Sequence, residues 1–395
     1  MAKINIGELT HEAFSLFRCY PTFVYRSVDN LLPGDLPVFV FHTLEPDEFE
    51  GQLRYLKENG YRTLSLDEFL ATLKGTRKAG PREVLLTIDD ARTSAWLYGY
   101  PLLQKYELNA VVFAITGWTP EGVERPNLEN VWRGEMALDA LQQLDPDDRQ
   151  VCSWAELKCM HDSGRITVDS HSHLHRKIFS DRTLRSVIRE SDDFSPSNAI
   201  QSPYLSLTES PLGVRPEDLV GLPLFDVRAF FEDGPAYRLD RAACGEFRDS
   251  ALSLLGKSNG ALDSSQLETL RRSLPPDAFL QLGAAELEAE IRDEILLARD
   301  SLRARLDDPR AGRTLCIPFT LGGEALLGAA DEVGLEAVFW GVSTEQRINS
   351  PGHNPLRLVR LKNDFLFTLP GTGRKSLIDI YATKLNRRLQ GVRPY

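Results

Sequence analysis

The chain is poor in everything that would tie it to a membrane, to nucleic acid or to a disulfide framework. No run of about 18 apolar residues occurs in it, so no segment is long enough to cross a bilayer as a helix. Its start, from Met1 to Thr10, lacks a continuous apolar core and a small-residue cleavage site. No secretory signal is therefore expected, and a cytoplasmic location is the default expectation. Basic residues are outnumbered: 46 Lys and Arg face 57 Asp and Glu, for a formal net charge of −11. That balance argues against a nucleic-acid footprint or a polybasic membrane patch. Cys19, Cys152, Cys159, Cys244 and Cys316 are odd in number and scattered, with no CxxC pair. They suggest neither disulfide pairing nor a cysteine zinc site. Repeats and low-complexity tracts are also missing.

What is present is enough for a large core, since 395 residues with 42% hydrophobic content can fold as a barrel or as two or three domains. Residues 1–36 read as a lead-in ending at Pro33-Gly34. Leu36 to His42 is a compact strand with a histidine at its far end. Pro46 opens a helix that carries Phe49, Leu53 and Leu56 on one face, and Asn59-Gly60 closes it. Tyr61–Leu64 is a strand, and Ser65 and Glu68 form a capping box for the next helix. After the breaker Gly80-Pro81 comes the strongest strand, Glu83–Ile88, apolar at nearly every position. A helix around Ser94–Tyr106, interrupted by Pro101, leads to the strand Ala110–Ile115.

Strand and helix alternate with short connections, which means parallel strands with crossover helices. After a polar excursion over 117–150, Ser153 and Glu156 cap a helix, and Arg165–Ser170 is the next strand. The alternation then fails: 177–283 reads as an inserted subdomain or lid, with a Ser/Pro/Gly-rich piece from Phe194 to Pro211. Leu287, Ile291, Ile295, Ala298, Leu302 and Leu306 mark a helix over 284–307. Strands at Thr314–Phe319, Leu335–Trp340 and Leu356–Leu361 follow, with a helix at Glu324–Val333 and a last one from Leu377 to Leu389. Gly371-Thr372-Gly373-Arg374-Lys375-Ser376 lacks the glycine spacing of a phosphate loop and reads as the entry to that helix.

Two short stretches carry chemistry. The best strand ends on Asp89-Asp90, at the edge where α/β enzymes keep their reacting groups. Another strand ends on His171-Ser172-His173-Leu174-His175. Alone, the first reads as a solvated turn or helix cap and the second as a histidine-rich surface turn. Together they read differently. His171 and His175 are four apart, so on a helical turn both imidazoles face one way while His173 points elsewhere. With one carboxylate oxygen they make a three-donor set for Zn²⁺ or a similar ion, one position left open for water.

The same stretches resemble a family. Thr87-Ile88-Asp89-Asp90-Ala91 is similar to the Thr-Phe-Asp-Asp-Gly motif of the polysaccharide deacetylases, carbohydrate esterase family 4, and His171–His175 to its His-(Ser/Thr)-x-x-His. Pro37–His42, Phe49–Tyr61, Pro101–Tyr106, Ser153-Trp154 and Cys316-Ile317-Pro318-Phe319 resemble further segments, so the likeness spans about 37–176 and 284–361. It implies a distorted (β/α)7-type barrel with a large insertion, built from 37–176 and 284–395. It also implies metal-dependent removal of an acyl group, acetyl first, from an amino-sugar-containing substrate. Asp90, His171 and His175 would hold the divalent metal, Zn²⁺ foremost, and Asp89 would be the base that activates its water. The backbone N–H of Phe319 would serve the oxyanion. Deacylation of a non-sugar amide, or a catalytically silent carbohydrate- or partner-binding relative, are the alternatives.

This chain departs from the family at several places. Ala91 and Thr320 stand where the family has glycine, which matters if those turns need positive φ. Asp169 adds a third acid near the site. The late histidine that supplies the family's general acid is missing from Asp364–Pro370. His42, His173 and His353 are the substitutes, with His42 the best placed because it ends a strand.

Overall fold

Strands that are apolar at every position are stable only when both faces are covered, and a closed barrel wrapped in helices covers them. In the computed structural model, residues 19–144, 150–189, 202–205, 207, 216–257 and 262–389 are described. The first half of the lead-in and most of the 194–211 stretch lie outside them. Eight strands form one sheet: β1 Val38–Phe41, β2 Arg62–Thr63, β3 Glu83–Ile88, β4 Ala110–Ala114, β5 Ile166–Ser170, β6 Thr314–Cys316, β7 Ala337–Phe339 and β8 Leu361–Lys362. Their order is β7-β6-β5-β4-β3-β1-β8, with β2 beside β3, and each pairing is parallel.

The sheet curls until its ends meet. Leu358 gives its N–H to Val338 (3.0 Å) and accepts from Trp340 (2.7 Å), while Leu361, three residues on, pairs with Phe39 of β1. One continuous strand was expected over Leu356–Leu361. Instead a 3₁₀ turn occupies Pro355–Arg357 and the strand shrinks to β8. The barrel is therefore closed by a short, imperfect segment.

Alternation along β3 divides the core. Leu85 joins Val38, Val111, Phe113, Ala337 and Phe339 in an inner cluster. Val84, Leu86 and Ile88 face outward into a second cluster with Phe49, Leu53 and Leu56 of α1 (Pro46–Glu58). Helix α2 (Leu66–Leu73) plugs the barrel end where the strands begin, stacking Phe69 on Phe339 at 5.9 Å. Its capping box is formed as the spacing demands, with Glu68 N–H to Ser65 Oγ at 3.2 Å and Ser65 N–H to Glu68 at 3.0 Å. Pro101 does not interrupt its helix. A π-helical turn over Ala95–Gly99 leads into α3 (Tyr100–Tyr106), and Pro101 falls in the first turn, where no N–H is needed.

Between β5 and β6 the chain builds a separate unit, with a four-stranded antiparallel sheet of Lys177–Phe179, Val227–Ala229, Tyr237–Leu239 and Phe279–Gln281. Phe179, Phe225, Phe247 and Leu270 belong to a core of its own. Phe230-Phe231-Glu232-Asp233 is its junction with the barrel. Both phenylalanines are buried, and Asp233 accepts the Glu324 N–H (2.9 Å) at the start of α6 (Glu324–Val333). Helices α4 (Trp154–Asp162) and α5 (Ala284–Leu306) flank β5 from outside.

Three strands leave the sheet through left-handed residues at their far tips: Asp90 (φ 65) and Ala91 (50) after β3, Ser172 (71) and His175 (52) after β5, Phe319 and Thr320 (both 58) after β6. The residues that replace family glycines thus adopt the conformation glycine would. Such φ costs an ordinary residue about 1–2 kcal/mol. Thr320 is exposed, so little packing repays its strain. Thr320→Gly is expected to raise stability in urea denaturation by about 0.5–1 kcal/mol after the added chain entropy of glycine. A loss instead would mean that the contact of Thr320 with Gly341 outweighs the strain.

Candidate active site

Asp89 and Asp90 follow β3 directly, and the turn after β5 swings across β4 to meet them. That turn is not helical, contrary to the spacing argument; its left-handed residues Ser172 and His175 bring the two imidazoles together. The chain pins it on every side. His175 N–H bonds Ser172 Oγ (2.9 Å), Ser172 N–H bonds Ser170 Oγ (3.2 Å), and Trp118 Nε1 reaches the Leu174 carbonyl (3.1 Å). Gly117 gives its N–H to the His173 carbonyl at 2.9 Å, so close that a Cβ there would lie 2.7 Å from that oxygen. Glu294 of α5 accepts from Leu174 N–H (3.0 Å) and from Arg176 Nε (3.1 Å).

His171 Nε2 lies 3.3 Å from Asp90 Oδ1 and His175 Nε2 3.8 Å from the same oxygen. The rings stand 4.9 Å apart, edge to face. Donor atoms of Asp90, His171 and His175 all fall within 4.8 Å of one another, and all three residues are buried. The other oxygen, Oδ2, faces Arg92, whose Nε is 3.1 Å away. Asp90 therefore offers one oxygen to the histidine side. His171 Nδ1 is 2.8 Å from the Cys316 carbonyl. A carbonyl only accepts, so Nδ1 carries a proton and Nε2 is the nitrogen left to hold a cation when the ring is neutral. His175 Nδ1 is buried and meets no partner among the described residues. Two imidazole nitrogens and one carboxylate oxygen at this spacing fit a divalent metal of the zinc type.

Asp89 stays outside that set. Its Oδ1 takes Arg360 Nη1 at 2.6 Å, and its Oδ2 lies 3.4 Å from Cys316 Sγ and 3.8 Å from His42 Nε2. Burial pushes the carboxyl upward, and Arg360, then His171 and His42, outweigh it, so Asp89 stays ionised below the usual range. Burial works on Asp90 too, but the His171 hydrogen bond, Arg92 and His175 hold it far lower. Burial opposes charge on His171, yet Cys316, Asp89 and Asp90 keep it well above an ordinary imidazole. Burial and the neighbouring His171 drive His175 down to about 3. His42 is lowered by burial despite Asp89 and Asp90.

The remaining expected residues divide. Phe319 is at the site, its ring 4.6 Å from that of His175. His173 turns away, with Nδ1 2.8 Å from Thr116 Oγ1. His353 is exposed in a turn whose Gly352 bonds the Leu73 carbonyl at the end of α2, on the plugged side. Asp169 points into the barrel, accepting from Thr314 Oγ1 and Ser170 N–H (both 2.9 Å), and burial lifts it to about 7. Sequence reasoning missed Arg360. Its signal was a lone charge in the apolar run Leu358-Val359-Arg360-Leu361, where a buried counter-ion is required. It also missed Glu294, an acid on the buried stripe of α5 between Ile291 and Ala298, and the Arg176 it binds.

Residues 76–200 match the family described as polysaccharide deacetylase. YxkH of Bacillus subtilis (strain 168), named for the same family, is 33% identical over 91 residues, 21% of this chain and 33% of its own. The poly-β-1,6-N-acetyl-D-glucosamine N-deacetylase of Staphylococcus aureus (strain MSSA476) is 29% identical over 132 residues, 33% of this chain and 38% of its own. The matches thus span about a third of each curated relative's length. Among solved structures, a de-N-acetylase from Aggregatibacter actinomycetemcomitans aligns with a TM-score of 0.49 at 14% identity, over 88% of this chain and 98% of that one. Asp89, Asp90, His171 and His175 all fall inside the segment that matches the polysaccharide deacetylase family.

Proposed function

We propose that the protein is a metal-dependent hydrolase that removes an N-acyl group, acetyl first, from an amino-sugar glycan. One observation carries the reading: three donors from Asp90, His171 and His175 converge while Asp89, held ionised by Arg360, stands beside them outside that set. A divalent ion held there, Zn²⁺ foremost, would polarise the amide carbonyl and bring water toward ionisation near neutral pH.

The chain's own groups supply the proton traffic. Asp89 takes the proton of the attacking water. Arg360 occupies Oδ1 and leaves Oδ2 directed toward His42 and Cys316. The Phe319 N–H is the proposed donor to the tetrahedral oxyanion; the left-handed turn there and the ring on His175 support that placement. His42, whose Nε2 stands 3.8 Å from Asp89 Oδ2, takes that proton over from Asp89 and passes it to the leaving amine. It ends the strand next to β3, and its side chain is 33% exposed where that of Asp89 is 3%, so it alone of the two reaches open space. No late histidine is needed for this scheme. The stretch Asn363–Thr368 that would carry one is a 3₁₀ turn with Phe365 and Leu366 in the outer core. Ala91 takes a left-handed conformation, φ 50, at the position where the resembled motif has glycine. The name of the Staphylococcus aureus relative makes β-1,6-linked N-acetylglucosamine oligomers the first substrate to test.

Acetate release from such oligomers by the metal-loaded protein is the expected result, and none from any N-acetylated glycan would overturn the reading. Asp89→Asn is expected to lower kcat by about 10²–10⁴ while metal affinity is kept. In Arg360→Gln, the largest opposition to burial is lost, only His171 and His42 remain to counter it, and the pKa of Asp89 rises. Because the base works only when ionised, the activity loss should deepen as pH falls; a loss uniform across pH would mean that Arg360 acts only on the fold. Metal binding should also expel a proton from His171, which Asp89 and Asp90 hold protonated. Calorimetry in two buffers of different ionisation enthalpy measures that release, and its absence would remove His171 from the donor set.

A further inference from the structure

We infer a second site, for a phosphate group, at the opposite end of the barrel from Asp89. Arg299 and Arg303 of α5, Arg310 of the following loop and Arg313 just before β6 line a cavity of about 240 Å³ together with Glu336. Arg313 precedes the first residue of β6, whereas Cys316, at its last, touches Asp89. The cleft therefore meets none of the reacting atoms. Gly312 lets the loop approach α5: its φ is +70, and a Cβ there would lie 2.6 Å from Arg299 Cα.

Two of the four cations are already matched. Arg310 and Arg313 both pair with Asp67, and Arg313 also stands 3.8 Å from Glu336, which Lys74 neutralises further. Arg303 is not, and Arg299 is matched only by one long contact. Arg303 spends only Nε, on the Ala311 carbonyl at 3.2 Å; its two terminal nitrogens meet no acceptor among the described residues. Arg299 gives one terminal nitrogen to the Val333 carbonyl (3.3 Å), and the nearest carboxylate, Asp300, stands 3.7 Å from its Nε, which makes no hydrogen bond. The loop-holding and helix-closing duties of these side chains thus consume one donor each and leave the rest of each fork.

Arg299 and Arg303 are four residues apart on one helix, so they share a face and repel. In a chain of net charge −11 this is a local excess of the opposite sign. An anion between them relieves the repulsion, and planar guanidinium forks match tetrahedral oxyanions two oxygens at a time. A carboxylate, with two oxygens, serves one fork. A phosphate dianion serves both, and the cavity has room for it alone or as the monoester of a small polyol.

Calorimetric titration of the whole protein at low salt tests this, with inorganic phosphate and glycerol phosphate as probes and acetate as control. Saturable one-site binding of either phosphate, absent for acetate, is expected, and which binds tighter distinguishes a free ion from a monoester. Arg303→Gln should weaken it by roughly tenfold or more. Arg303→Lys, which keeps the charge and spares the fold but loses the fork, should weaken it too, and deacetylase activity should be unchanged in both. No saturable phosphate binding, equal binding of acetate, or unaltered affinity in both variants would each overturn the site.

Discussion

Two carboxylates buried side by side at the tip of one strand set the terms for the rest of the structure. Removing an ion from water costs several kcal/mol even after relaxation, and two neighbouring like charges repel as well. Asp89 and Asp90 are nevertheless both ionised, because each has partners of its own. Arg360, carried by the segment that closes the barrel, answers Asp89. His171, His175 and Arg92 answer Asp90. The divided partnership gives two identical side chains different chemistry. The acid facing imidazoles sits within a converging set of donor atoms, and the acid locked by a permanent guanidinium stays outside that set, held ionised.

The same electrostatics explains the closure of the barrel. Leu358 and Leu361 hold opposite edges of the sheet through only a few hydrogen bonds. Between them Arg360 reaches inward to Asp89, to Thr87 Oγ1 (3.3 Å) and to the Trp340 carbonyl (3.1 Å). The short closing segment is fastened from inside by the ion pair that also keeps Asp89 ionised, so barrel closure and the charge of Asp89 share one side chain.

Much of this was legible in the sequence, and what was not has physical reasons. Local signals sufficed where one element decides its own structure: the Ser65–Glu68 box, the apolar run of β3, the acids that end it. The histidine turn was legible in outcome but not in cause. Its four-residue spacing suggests a helix, while the actual convergence relies on left-handed Ser172 and His175, held by Glu294 from more than a hundred residues away. Arg360 stood out in the sequence only as a lone charge in an apolar run, since its meaning depends on a partner 271 positions distant. The insertion resisted because short antiparallel strands, separated by long connections, carry no helical period.

The left-handed residues deserve a mechanical reading. Glycine at Ala91 or Thr320 would make those turns free of strain, yet it would also widen the backbone freedom of the loops that carry Asp90 and Phe319. Side-chain-bearing residues narrow that freedom. Held there by the hydrogen bonds around them, they keep Asp89, the donor atoms of Asp90, His171 and His175 and the Phe319 backbone in one arrangement. The strain at each turn is about 1–2 kcal/mol, small beside the several kcal/mol that a misplaced donor costs in a transition state. A site of this kind gains more from rigid tips than it loses in local stability.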